Sequence, residues 1–360
     1  MSSRKGLKLT IRQDRFSSIS VNTMEKNTKT RDKKYRIGVD LGGTKMLGVA
    51  FDEDFAPQGR NRLKTKAQGG KQAGMRQIIA LIEGALENAD VTVDQLAGIG
   101  IGCPGPVNSD TGVVLEMPNL GWKDTPVRQE LTKEFGCPVS VLNDVDAGIY
   151  AEYRFGAAKG ARCAIGIFPG TGIGGGCVYN GDIIRGKSGS CMEIGHIPIM
   201  ENGPLCGCGQ QGCLEAVAGR LAISAAAAAA AHRGEAPHLF AASGADLSKI
   251  RSGALAASIE AGDAAVERIA RSAARHIGLA AAGLVNLLAP DVIVLGGGLV
   301  EALPKLFRQE VEEAARNRVM PTYRESFRVA VAKLGDDATA IGAGAWTEHT
   351  GEALSRTDEA

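Results

Sequence analysis

Apolar positions begin to alternate at Tyr35. Ile37, Val39 and Leu41 predict a strand, the turn Gly42-Gly43-Thr44 follows, and the apolar run 46–51 predicts the second strand of a hairpin. Ile78, Ile79, Ile82 and Leu86 recur at helical spacing and predict a helix over 75–88. A buried strand over 96–102 ends in the rigid turn Cys103-Pro104-Gly105-Pro106. A short helix over 127–135 precedes a strand over 139–142, which runs into Asn143-Asp144 and a helix over 147–155. Strands over 164–168 and 176–179 flank the glycine turn 170–175. The alanine run 225–231 reads as a packed helix. A long helix over 266–288 stops at Pro290, and the strand 292–295 opens onto Gly296-Gly297-Gly298. Strands alternating with helices make this an α/β chain.

Before Tyr35 the pattern is absent. Residues 1–34 are polar, basic and aperiodic, which predicts a disordered arm in which Met24 is an alternative start. The 360 residues suffice for two ordinary domains or one large one. A formal charge of +1 leaves no bulk field to gather nucleic acid or an anionic membrane. No apolar run is read as a membrane span, and the N-terminus lacks the apolar core of a secretory signal, so a cytoplasmic protein is expected. Eight cysteines do not make a disulfide scaffold in a chain this long. Cys103, Cys137, Cys163, Cys177 and Cys191 are scattered and read as buried thiols, whereas Cys206, Cys208 and Cys213 are clustered.

Three glycine turns carry candidate chemistry. At Asp40-Leu41-Gly42-Gly43-Thr44-Lys45 the glycines let backbone N–H groups approach a phosphate and the Thr44 hydroxyl donates as well, with Asp40 placed to hold a magnesium-bound water. An ordinary hairpin turn explains the same residues, and the P-loop spacing is missing. Gly170-Thr171-Gly172-Ile173-Gly174-Gly175-Gly176 contains a GxGxxG-like spacing, but no helix follows it, which disfavours a dinucleotide fold and suits a second phosphate cradle. The turn at Gly297 and Gly298 follows a buried strand and is a candidate contact for the nucleotide. Asn143-Asp144, at a strand end, offers either a carboxylate base or a helix cap, with Asp146 a weaker rival.

The clustered thiols form the most specific signal. His196, Cys206, Cys208 and Cys213 supply the Cys₃His set of a closed structural zinc site, and Gly203, Gly207, Gly209 and Gly212 let a short loop fold around the ion. Four protein ligands leave no open position for catalysis. Glu193 and Glu215 flank the ligands, so a metal that fixes this segment also places two carboxylates. They suit glycoside hydrolysis or the grip of sugar hydroxyls, and the phosphate cradles favour the second.

Taken together, residues 35–346 resemble the ROK family of sugar kinases and sugar-responsive repressors, most closely its bacterial glucokinases. The motifs are 40–45, Asn143-Asp144, 170–176, Glu193-Ile194-Gly195-His196, and above all 206–215, with 295–298 and 336–345 as closing segments. The resemblance implies an actin-like, hexokinase-type (ribonuclease H-like) fold of two α/β domains flanking a cleft. The smaller would span 35–145 with a returning helix near 338–349, the larger 146–337, and a disordered tail 350–360. It implies ATP with magnesium, Asp144 as the base for the 6-hydroxyl of a hexose, and Asn119, Asn143, Gly172, Glu193, His196 and Glu215 around the sugar. It also implies nucleotide contacts at Asp40, Gly42, Gly43, Thr44, Lys45, Gly170, Thr171, Gly297 and Gly298, and a homodimer or homotetramer. Glucose is the expected sugar, with N-acetylmannosamine, N-acetylglucosamine, fructose and allose as alternatives. A repressor is disfavoured because 1–34 is too short for a packed helix-turn-helix. Departures from the family's usual pattern are Pro169, Ser190-Cys191-Met192 and Ala218-Gly219-Arg220.

Overall fold

The computed structural model describes residues 34–66, 70–117, 120–187, 189 and 191–357, with side chains up to position 349. The expected arm, apart from Lys34, and Asn119 lie outside the described residues. Strands β1 (Tyr35–Leu41), β2 (Lys45–Phe51) and β3 (Pro57–Lys64) form a meander, and α1 (Gly70–Asn88) leads to β4 (Leu96–Cys103). A small sheet of β5 (Val107–Asn108), β6 (Val113–Met117) and β7 (Trp122–Thr125) precedes α2 (Val127–Phe135) and β8 (Val139–Asn143). Helix α3 (Asp144–Phe155) then passes to β9 (Cys163–Pro169), β10 (Ile173–Tyr179) and β11 (Asp182–Ile183). Helices α4 (Leu214–Ala218), α5 (Arg220–His232), α6 (Pro237–Ser243), α7 (Ser252–Glu260) and α8 (Ala264–Leu288) separate these from β12 (Val292–Leu295). Helices α9 (Gly298–Ala302) and α10 (Pro304–Arg316), strand β13 (Arg328–Val331) and α11 (Ala338–Thr357) complete the chain. Where a disordered tail was expected from 350, α11 continues to Thr357. Glu352, Ala353 and Leu354 are good helix formers, and no proline interrupts them.

The same topology occurs twice. The two large sheets run β3-β2-β1-β4-β8 and β11-β10-β9-β12-β13. In each, the first three strands are an antiparallel meander and the last two lie parallel to the first. Each sheet has its own apolar core, Ile37, Val39 and Ile99 among its members in one, Ile165, Ile277 and Leu295 in the other. This duplicated mixed sheet is the actin-like, hexokinase-type α/β architecture. The turns at 42–44 and 170–172 occupy equivalent places, between the first and second strands of their sheets.

Helix α11 returns to the first sheet and packs backbone to backbone. A Cβ on Gly38 would lie 1.9 Å from the Ala340 carbonyl oxygen, and one on Gly100 1.7 Å from that of Ala343. Gly342 makes the same approach to Ala147 of α3, where a Cβ would meet a carbonyl oxygen at 1.8 Å. These are backbone atoms that cannot rotate away. Gly100→Ala is therefore expected to destabilise the chain by about 2–4 kcal/mol, read as a lower urea midpoint, with a fall under about 0.5 kcal/mol contradicting the packing.

One sequence expectation needs correcting. The stretch Leu214–His232 does meet the length and hydropathy of a membrane span, although half of it is buried inside the fold. Its apolarity is that of a core segment: Ile223, Ala227 and Ala231 join the cluster that α8 completes, and Gly219 breaks it into two helices.

Candidate active site

Helix α3 begins where β8 ends, and the two residues at that junction divide two jobs. Asn143 is the cap: its Oδ1 accepts from the Val145 N–H at 2.9 Å, and its Nδ2 donates to the Gly105 carbonyl at 3.3 Å. Asp144 is the first helical residue, and its Oδ1 shares that same Val145 N–H at 2.9 Å. The cap that competes with a base in the sequence thus belongs to Asn143. Burial raises the Asp144 pKa, and its hydrogen bonds with the backbone oppose the rise only in part.

Other carboxylates surround it. Asp40, at the end of β1, is pushed up to about 6, first by burial and then by the charge of Asp144, with Lys45 opposing. Asp146 is buried and raised to about 7 by desolvation, Asp144 and Glu193, with Arg185 opposing, and its Oδ1 has no partner among the described residues. Glycines bring α3 onto β10: a Cβ on Gly174 would meet the Val145 side chain at 2.5 Å, and one on Gly176 that of Ile149 at 2.9 Å.

The first glycine turn is held from β3's end, where the Thr65 hydroxyl donates to the Gly42 carbonyl at 2.6 Å and the Thr65 N–H to that of Thr44 at 2.9 Å. Gly43, Thr44 and Lys45 are exposed. The Lys45 ammonium pairs with Asp336 at 3.2 Å across 291 positions of sequence. Both groups are solvated, so the pair is worth ~0–1 kcal/mol and is easily exchanged for another anion. The second and third turns abut each other: Gly297, at φ +80°, would place a Cβ 2.9 Å from the Pro169 carbonyl oxygen. Thr171 is exposed at the tip of the second turn.

Glu215, in α4 just past the Cys₃His loop, reaches that turn. Its Oε2 accepts from the Ile173 N–H at 2.9 Å, and only a glycine fits at 172, where a Cβ would stand 2.0 Å from that oxygen. Glu193 is exposed and begins the tight turn Ile194–His196, with the His196 N–H on its carbonyl at 3.0 Å. The donor atoms of His196, Cys206, Cys208 and Cys213 all lie within 4.8 Å of one another. Cys208 and Cys213 sulfurs are 3.7 Å apart, too far for a disulfide, and Cys206 Sγ is 3.6 Å from His196 Nδ1. The edge of a tetrahedron with bonds of about 2.3 Å is about 3.8 Å, so four such donors fit one small ion. Of the scattered cysteines, Cys103, Cys137, Cys163 and Cys177 are buried and Cys191 half-buried.

The structure therefore gathers Asp40, Asn143, Asp144, the glycine turns, Glu193, Glu215 and the Cys₃His loop around the α3 N-terminus and the β9–β10 turn. Sequence reasoning missed Asp336 and Asp337, which pair with Lys45 and Arg60 from the turn Gly335–Asp337 that leads into α11. Their nearest signal was position within 336–345, which says nothing of a partner so distant in the chain.

The ROK family profile matches residues 36–350. The chain belongs to the ROK family. Among ROK relatives, a glucokinase of Halalkalibacterium halodurans is 34% identical over 320 residues, covering 86% of this chain and 94% of that one. A ROK family glucokinase of Streptomyces griseus, solved with glucose and AMPPNP, is 31% identical with a TM-score of 0.74, covering 88% of this chain and 99% of the other. The chain is also similar to a putative xylose repressor of Caldicellulosiruptor, 32% identical over 309 residues that cover 85% of this chain and 76% of the other.

Proposed function

We propose that this protein is a glucokinase-type sugar kinase that transfers the γ-phosphoryl group of ATP to the 6-hydroxyl of a hexose, glucose first among them. The observation that carries the reading is a largely buried carboxylate, Asp144, whose one oxygen shares the Val145 N–H with the capping Asn143. Its helix start faces Asp40 beside the first turn and packs on Gly174 after the second. A kinase needs little covalent chemistry from its protein; it needs positioning, charge neutralisation and a base for the attacking hydroxyl. Asp144 accepts the proton of the 6-hydroxyl. Glu193, His196, Glu215, Asn143 and Asn119 orient the sugar, with the backbone at Gly172. The turns carrying Gly42, Gly43, Thr44 and Lys45, and Gly170 and Thr171, hold the phosphates by their N–H and hydroxyl donors. Gly297 and Gly298 border the nucleoside.

Magnesium, a hard cation, suits the carboxylate of Asp40, directly or through water, and neutralises phosphate charge when bound. The ion of the Cys₃His loop is zinc, and its role is to fix Glu193 and Glu215 in place. His196 turns Nδ1 to the cysteine sulfurs and keeps Nε2 for a sugar hydroxyl. A cytoplasmic homodimer or homotetramer belongs to the same reading.

The test is ADP release with glucose, mannose, fructose, allose, N-acetylglucosamine and N-acetylmannosamine. Glucose is expected to give the highest kcat/KM. A preference for another sugar moves the specificity, and no turnover with any of them passes the chain to the regulator branch that the repressor relative represents.

A further inference from the structure

The kinase reading leaves Arg220 unused, although it lies in the stretch Ala218-Gly219-Arg220 that departs from the family's usual pattern. Arg220 opens α5, a helix of 13 residues, and grips the second glycine turn twice. Its backbone N–H donates to the Gly170 carbonyl at 3.1 Å, and its Nη2 donates to the Thr171 hydroxyl at 2.9 Å. Gly219 permits this seating, because a Cβ there would lie 2.7 Å from the Glu215 carbonyl oxygen.

Charge decides what the guanidinium is for. Lys45 serves the first turn and exchanges Asp336 for phosphate, while Arg185 is paired with Asp110, so the second turn needs a cation of its own. Among the described residues no carboxylate pairs with Arg220; its polar side-chain contact is a neutral hydroxyl on an exposed tip. Yet the site is rich in carboxylates at Asp40, Asp144, Asp146, Glu193 and Glu215, and a polyphosphate approaching it meets repulsion unless cations are aimed at the cradle. One guanidinium N–H bonded to Thr171 leaves further N–H donors of the same planar fork available for phosphate oxygens. The positive end of the α5 dipole adds to the same field.

We propose that Arg220 is a phosphate-binding residue of the nucleotide site, its guanidinium reaching past Thr171 to the polyphosphate tail of ATP. This rests on the kinase reading above, and it adds a contact that the glycine turns alone do not supply. Arg220→Gln removes the charge while leaving the backbone N–H on the Gly170 carbonyl, and Arg220→Lys restores charge without the fork.

The experiment compares ATP and adenosine binding by calorimetry, and KM for ATP and for glucose, in the full-length wild type and both variants. Arg220→Gln is expected to weaken ATP binding and raise its KM by about 10- to 100-fold, with adenosine affinity and glucose KM within about twofold of wild type. Arg220→Lys is expected to fall between the two. An unchanged KM for ATP, or equal losses for ATP and adenosine, overturns the proposal, since the second marks a merely structural role. A wild type that turns over no hexose removes the kinase reading, while the ATP-against-adenosine comparison still decides the phosphate contact.

Discussion

Asp144→Asn is expected to lower kcat by roughly 100- to 10,000-fold while glucose binding stays near wild type. The substitution is nearly isosteric and spares the fold, because the Val145 N–H that Asp144 shares keeps its other acceptor, Asn143 Oδ1, at 2.9 Å. It also removes a carboxylate whose ionisation burial opposes, so no stability is expected to be lost with it. Single-turnover rates and glucose affinity, measured on the same preparation, separate chemistry from binding. Retained turnover, within about tenfold, would remove Asp144 as the base.

The pH profile carries a second sign. A base works only when ionised, so activity falls as pH drops through its pKa, and burial places that limb above the ~3.9 of an unperturbed aspartate. Asp40, at about 6, is held up in part by the Asp144 charge. Neutralising position 144 therefore lowers the Asp40 pKa, and any residual activity of the variant should persist to lower pH than that of the wild type. A residual profile displaced to higher pH contradicts the coupling.

How much of this was legible in the sequence differs from feature to feature, for physical reasons. The Cys₃His cluster was, because a small ion needs its donors close and three of them lie within 206–213. The glycine turns were, because residues lacking a Cβ cluster where backbone must approach a ligand or another chain segment. Their equivalence was not. The two sheets share strand order and direction, but one turn reads Leu-Gly-Gly-Thr and the other Gly-Thr-Gly-Ile, with no common periodicity to betray the repeat. The division of labour between Asn143 and Asp144 was equally hidden. Both residue types cap helices, and only the positions of Asn143 Oδ1 and Nδ2 show which one does so here. The Lys45–Asp336 pair depends on α11 folding back over β1 and β4, and that contact is written in Gly38, Gly100 and Gly342, whose role appears only once their neighbours are placed.

Removing one donor of the proposed zinc site tests the link between loop and sugar. Cys208→Ser is expected to lose the metal, from about one ion per chain to well under half, and to raise the KM for glucose by at least about tenfold with a smaller effect on the KM for ATP. Past its start the loop has little apolar anchorage. Ile197 and Ile199 pack against the core, but Met200 is 38% and Leu205 72% exposed. Its backbone joins by the isolated bridges Pro198–Cys213 and Leu205–Gln211, and Gly209 and Gly212 sit at φ +89° and +74°, where an unclamped chain gains the most freedom. Cys213 immediately precedes α4, and two residues on Glu215 holds the Ile173 N–H; His196 lies three residues from Glu193 on the other side. Loosening the ion therefore releases both carboxylates from the sugar side, whereas the turns at 42–44 and 296–298 keep their own supports and should still take ATP. Metal analysis and separate KM values for the two substrates check this. Wild type purified without zinc, or a variant with unchanged glucose KM, shows that protein packing holds the loop instead.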